Sequence, residues 1–72
     1  MKPELFRMLK SAAEADKSKA LLSLEILSEN PAGIGDHSDI ACAVSVEIAK
    51  IAAADDGLLV LEENFSDHIY SE

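Results

Sequence analysis

The chain has 72 residues, with 14 acidic and 6 basic side chains, which give it a formal net charge of −8. This length allows one small domain, and a hydrophobic content of 49% excludes a disordered acidic tail. The negative charge argues against binding a nucleic-acid backbone. No apolar run approaches the roughly 20 residues that a membrane span needs, and none forms the shorter apolar stretch of a signal peptide.

The first predicted element is a helix over residues 3–29, which contain no glycine or asparagine and are rich in leucine, alanine, lysine and glutamate. Pro3 suits the first helical turn, and Pro31 disfavours the α conformation at Asn30 and so ends the helix. One stripe of this helix consists of Phe6, Leu9, Ala13, Ala20 and Leu27. Further leucines widen the stripe, which predicts more than one packing neighbour.

A loop is predicted over residues 30–38, where several turn-forming residues occur together. Its distinctive positions are Asn30, Pro31, Gly33, Ile34, Gly35, Asp36 and His37. We expect Ile34 to turn inward and close the end of the bundle. The Gly-Ile-Gly segment lacks the third glycine and the Lys-Ser/Thr pair of phosphate-binding loops, so we assign these glycines to backbone geometry.

A second helix is predicted over residues 39–65, followed by a tail over residues 66–72. Its apolar stripe consists of Val44, Ile48, Ile51, Leu58 and Phe65. Gly57 costs about 1 kcal/mol in a helix interior, but the stripe keeps its phase across it, which favours a continuous helix over a break. For the tail we favour an acidic solubilising end over a docking segment anchored by Ile69 and Tyr70.

Folding the chain at its glycines predicts an antiparallel hairpin in which residues whose numbers add up to about 68 lie side by side. This register places the alanines of the two helices opposite one another at the middle of the hairpin. It also brings Lys10 and Lys17 near Asp55 and Asp56, whose ion pairs would set the register more than the stability.

The apolar surface of one hairpin exceeds what two helices can cover on each other, because each helix buries only one side on its partner. The sequence therefore predicts an all-α antiparallel two-helix hairpin that pairs as a homodimer into a four-helix bundle. We expect the contact between chains to involve Leu5, Met8, Leu22, Ile26, Ile40, Leu59 and Leu61.

The net charge is confined to the second half of the chain. Residues 1–29 carry five basic and five acidic side chains, whereas residues 30–72 carry one basic and nine acidic side chains. We therefore predict a non-enzymatic interaction module whose acidic outer face suits a protein partner with a basic surface. The carboxylates are too sparse to favour a mimic of DNA.

A small metal-binding protein is the alternative, because Asp36, His37 and Asp39 form the densest group of ligand-type side chains. His68 would have to come from another chain, and helix capping explains the same residues better than metal binding does. Cys42, the single cysteine, suits a reducing compartment and a buried apolar position. No serine, histidine and aspartate are placed for nucleophilic catalysis, so we expect neither an enzyme nor a cofactor.

Residues 20–39 read Ala-Leu-Leu-Ser-Leu-Glu-Ile-Leu-Ser-Glu-Asn-Pro-Ala-Gly-Ile-Gly-Asp-His-Ser-Asp. This stretch, with its Asn-Pro-x-Gly-Ile-Gly-x-His loop, resembles small uncharacterised helical proteins of large T-even-type tailed phages. The acidic and leucine-rich segment over residues 54–62 resembles the segment that follows in those proteins. The resemblance implies a phage-encoded protein made in a bacterial cytoplasm, and it implies no activity and no site residues.

Overall fold

Two α-helices, α1 over Pro3–Glu29 and α2 over His37–Tyr70, pack against each other as an antiparallel hairpin. The computed structural model describes residues 1–29 and 37–70, and the side chains of residues 1–29 and 39–65. The molecule measures 53 × 15 × 13 Å, and its long axis is close to the roughly 51 Å expected for a helix as long as α2. The predicted all-α hairpin is confirmed.

The observed bounds of α1 are those that the sequence predicts. The helix begins as the Lys2 carbonyl accepts a hydrogen bond from the Phe6 amide at 3.1 Å. In its last turn the Ser28 hydroxyl donates to the Glu25 carbonyl at 2.9 Å, a local bond between a serine side chain and the backbone of the preceding turn.

The predicted bounds of α2 were too short at both ends, because the helix starts at His37 and continues to Tyr70. No glycine or proline follows Gly57, so nothing in residues 66–70 ends the helix. Asn30, Pro31, Gly33, Ile34, Gly35 and Asp36 lie outside the described residues, as does the side chain of His37. The prediction that Ile34 closes the bundle rests on one of these residues.

Helix α2 runs through Gly57 without a break, as the continuous apolar stripe predicts. The glycine lies in a helical conformation, and a Cβ atom built on it would meet nothing within 4 Å. Nothing in the described structure therefore requires glycine at this position.

We expect Gly57→Ala to raise the free energy of unfolding by about 1 kcal/mol, because alanine restricts the unfolded chain and favours the helix. Urea unfolding followed by circular dichroism measures the change. Unchanged or lower stability would show that a neighbour of Gly57 excludes a methyl group.

Most of the buried and half-buried side chains form one line along each helix, and we call these two lines the inner seams. Their positions alternate by three and four residues, the spacing that keeps side chains on one face of a helix. The inner seam of α1 consists of Phe6, Lys10, Ala13, Lys17, Ala20, Leu24 and Leu27, and that of α2 consists of Ile40, Val44, Glu47, Ile51, Ala54, Leu58, Leu61 and Phe65.

The most buried residues of the two seams match in size. Ala20 and Ala54, which are 1% and 7% exposed, lie near the middle of the hairpin, and Phe6 and Leu61, at 7% and 9%, lie near its N-terminal end. Small side chains at the middle of both seams permit close approach of the two backbones there.

Two predictions for α2 were wrong. Ile48, assigned to the apolar stripe, is 54% exposed, because it lies on the same helical line as the acidic Asp55 and Glu62 rather than on the inner seam. Glu47 occupies the seam position instead, with its side chain 14% exposed. Cys42 is exposed rather than buried, since it falls between the seam positions Ile40 and Val44.

The register also differs from the prediction by about one helical turn. Lys17 pairs with Asp55 and Lys10 with Glu62, and in both pairs the residue numbers add up to 72 rather than 68. Side chains on an α-helix lean towards its N-terminus. In an antiparallel hairpin the side chains of both helices lean in this way. Two residues whose side chains touch therefore have higher numbers than two residues whose Cα atoms lie at the same height along the hairpin.

Candidate interaction surface

One side of the hairpin, which we call the ion-pair side, is bridged by two contacts between the helices. The Lys17 ammonium lies 2.7 Å from an Asp55 carboxylate oxygen, and the Lys10 ammonium lies 3.9 Å from a Glu62 carboxylate oxygen. The predicted pairing of Lys17 with Asp55 is confirmed, whereas Lys10 reaches Glu62 instead of Asp55 or Asp56. These contacts align the helices, but their solvent exposure limits what they add to stability.

We expect Lys17→Met, which keeps the aliphatic stem, to lower the free energy of unfolding by at most about 1 kcal/mol. The reason is that the two side chains are 38% and 50% exposed, so water and salt screen the pair. Urea unfolding of this variant, of Arg7→Met as a control and of the parent chain measures the effect. A loss well above that limit would mean that the pair is far less accessible than in this structure.

The opposite side, which we call the groove side, carries an open groove of ≈ 750 Å³ between the helices. Alanines of both helices form much of its wall, and Asp16, Lys19, Glu47 and Lys50 bring charges to it. The Lys50 ammonium pairs with the Glu47 carboxylate at 3.1 Å. A second hollow of ≈ 430 Å³ lies among Ser23, Ile26, Leu27, Ala43, Val46 and Glu47.

Large hydrophobic side chains stay exposed on both helices. They are Leu5, Met8, Leu9, Leu21, Leu22, Ile26, Val46, Ile48, Leu59 and Val60, all between 39% and 60% exposed. The total accessible surface is 5239 Å², whereas a folded monomer of this mass exposes about 4,300 Å². The hairpin therefore leaves about 900 Å² more surface in water than a compact monomer does.

Five of the seven side chains predicted to contact a second chain are exposed: Leu5, Met8, Leu22, Ile26 and Leu59. Ile40 is half-buried. Leu61 is only 9% exposed, so its assignment to an outer contact was wrong. It belongs to the inner seam of α2, one helical turn from Leu58, and packs within the hairpin.

Helix α1 carries a second line of side chains, which we call its outer seam: Leu5, Met8, Ala12, Ala15, Lys19, Leu22 and Ile26. These positions again alternate by three and four residues, and all seven are exposed. The outer seam lies roughly 140° around the helix from the inner seam. Sequence reasoning assigned only its four large residues to a contact and missed Ala12, Ala15 and Lys19, although their spacing was present in the sequence.

Among the described residues, no group of three histidine, cysteine, aspartate or glutamate side chains is placed to hold a metal ion. Asp39 is exposed in the first turn of α2. Asp36 and the side chains of His37 and His68 lie outside the described part, so the metal alternative stays a prediction. The described side chains include no buried polar group without a hydrogen-bond partner.

No protein-family model matches the chain, and neither a curated protein nor a solved structure matches it significantly. Over its described residues, neither helix is apolar for long enough to cross a membrane. What can be said of function therefore comes from the surface of this hairpin.

Proposed function

We propose that this chain is a non-enzymatic protein–protein interaction module that works as a homodimer. The observation that carries the proposal is the set of ten large hydrophobic side chains that the hairpin leaves at least 39% exposed. Large apolar side chains that stay this exposed on a small domain favour burial against another protein. The likeness to small phage proteins suggests a bacterial cytoplasm as the setting.

The accessible area supports a partner of the chain's own size. The surplus over a compact monomer is about 900 Å², and a stable interface of standard size buries about 800 Å² on each partner. Burying a standard-size interface against a second copy would bring the surface of each chain close to that of an ordinary folded protein.

The charge distribution supports a further partner with a basic surface. Nine of the fourteen acidic side chains fall in residues 30–72, against a single lysine. Asp56 and Glu63 are exposed on α2, away from the inner seam. Negative charge on an outer face attracts a basic partner and speeds their encounter, an effect that weakens as the salt concentration rises.

Sedimentation equilibrium at micromolar concentration tests the proposal. We expect a mass twice the 7.7 kDa of one chain, with helical circular dichroism at the same concentration. A folded species with the mass of a single chain, stable over the whole accessible concentration range, would contradict the homodimer.

A further inference from the structure

The outer seam of α1 has a symmetric distribution of side-chain sizes. Leu5 and Met8 lie at one end, Leu22 and Ile26 lie at the other, and Ala12 and Ala15 lie between them. The large residues are well exposed, at 43%, 60%, 57% and 57% in chain order. A seam with this pattern complements a reversed copy of itself, because large side chains then meet large ones at both ends.

We propose that a second copy of the chain packs its own outer seam on this one, with the two α1 helices antiparallel and the twofold axis at Ala15. The inference rests on the proposed homodimer and adds its contact surface and orientation. Leu5 then lies against Ile26 of the second copy, and Met8 lies against its Leu22. An interface related by a twofold axis brings the same patch of both chains together, which this pattern satisfies.

The charge at Lys19 distinguishes the antiparallel from the parallel arrangement. Lys19 makes no ion pair within the described hairpin and lies on the outer seam itself. A parallel pair would place it directly against Lys19 of the second copy, where like charges repel. The antiparallel pair places it against Ala12, within about one helical turn of Asp16 of the second copy, so the ammonium gains space and a nearby carboxylate.

The small residues at the centre of the seam support close packing of the two α1 helices. Ala12 and Ala15 add little bulk beyond the backbone, so the helix axes can approach to the short end of the usual range of 8–10 Å. In this arrangement α1 is covered on two sides, by α2 and by the second α1. Ile48 and Leu59, on α2, remain outside the contact.

A pair of charge substitutions tests the surface. Ile26→Glu puts a carboxylate on the outer seam of each chain, and we expect the dissociation constant of the dimer to rise about 100-fold or more. Ile48→Glu is the matched control, because Ile48 is 54% exposed and Ile26 is 57% exposed. We expect this control to leave the dissociation constant within about threefold of the parent value. Sedimentation equilibrium measures both, and circular dichroism checks that both variants stay helical.

Single cysteines in a Cys42→Ser chain test the orientation, since Cys42 is itself exposed. A disulfide requires Cα atoms within about 7 Å, so Ala15→Cys at the axis should link two chains under mild oxidation. Leu5→Cys should not link to itself, because its counterpart lies at the far end of the seam. Ser18→Cys, exposed but off the seam, is the control for collisional linking.

The outcomes separate this inference from the proposed function. Linking at Ala15→Cys alone supports the antiparallel seam, whereas strong linking at Leu5→Cys overturns it in favour of a parallel pair. A dimer that Ile48→Glu dissociates and Ile26→Glu does not would overturn the seam and leave the homodimer standing. A parent chain that sediments as a monomer would overturn both the homodimer and the seam.

Discussion

Leu61→Ala is expected to lower the free energy of unfolding by about 3 kcal/mol, because it removes a buried side chain and leaves a cavity between the helices. Leu61 is 9% exposed, and the described core around it contains few large side chains. For a hairpin of this size the loss is a large part of the total stability. Urea unfolding followed by circular dichroism measures it.

Leu59→Ala is the matched control, since it makes the same chemical change two residues away at a position that is 56% exposed. We expect it to cost less than about 1 kcal/mol. Equal losses at both positions would mean that Leu59 is buried in solution, either by a different helix orientation or by a partner. A larger loss for Leu59→Ala than for Leu61→Ala would contradict the inner seam of α2.

Gly57→Pro is expected to destabilise the hairpin by about 3 kcal/mol or more. Proline at this position removes the hydrogen bond that the amide of residue 57 gives to the carbonyl of Ala53 in a continuous helix, and its ring clashes with that carbonyl. Circular dichroism at 222 nm would report the loss of helix, and urea unfolding would report the loss of stability.

The comparison with Gly57→Ala makes the experiment specific for helix continuity. In a continuous α2 the alanine variant gains stability and the proline variant loses it. If the chain turned at Gly57, proline would be tolerated and alanine would bring no gain. Similar stability for the two variants would therefore contradict the unbroken helix.

The two helices and their pairing were predictable because local signals agree with one another. Residues 3–29 are strong helix formers bounded by prolines, and the apolar stripe of α2 keeps its phase across Gly57, which outweighs the low helix propensity of one glycine. The alanine contact at the middle of the hairpin was predicted only in part. Ala54 is buried and Ala13 is half-buried, whereas the other alanines assigned to that contact are exposed: Ala12, Ala15, Ala52 and Ala53. The C-terminal end of α2 was not predictable, because residues 66–70 contain no residue type that settles where a helix stops.

The side-chain partners were harder to predict than the helices. Val44, Ile51, Leu58 and Phe65 repeat every seven residues and define one line of α2, but the second line could pass through Glu47 or through Ile48. Hydrophobicity favours Ile48, whereas the structure uses Glu47, whose carboxylate stays partly hydrated beside Lys50. The lean of helical side chains shifts contacting residues towards higher numbers, an effect that counting residues from the loop omits.

The surface that α1 presents to a partner was visible in the sequence only in part. Its large residues stood out as an excess of apolar side chains, but the alanines and Lys19 between them had no reason to be grouped until the inner seam was known. Once Phe6, Ala13 and Ala20 are known to face α2, the exposed positions between them fall on a second line of α1, the outer seam. Burial in the structure therefore separates the two lines that composition leaves mixed.

The thermal midpoint of unfolding, measured as a function of protein concentration, tests most directly whether a hairpin with so much exposed apolar surface completes its fold by pairing. If folding and pairing are coupled, the midpoint should rise by roughly 9 °C for each 100-fold increase in concentration. A midpoint that stays the same across that range, for a chain with full helical signal, would show that the single hairpin is stable alone.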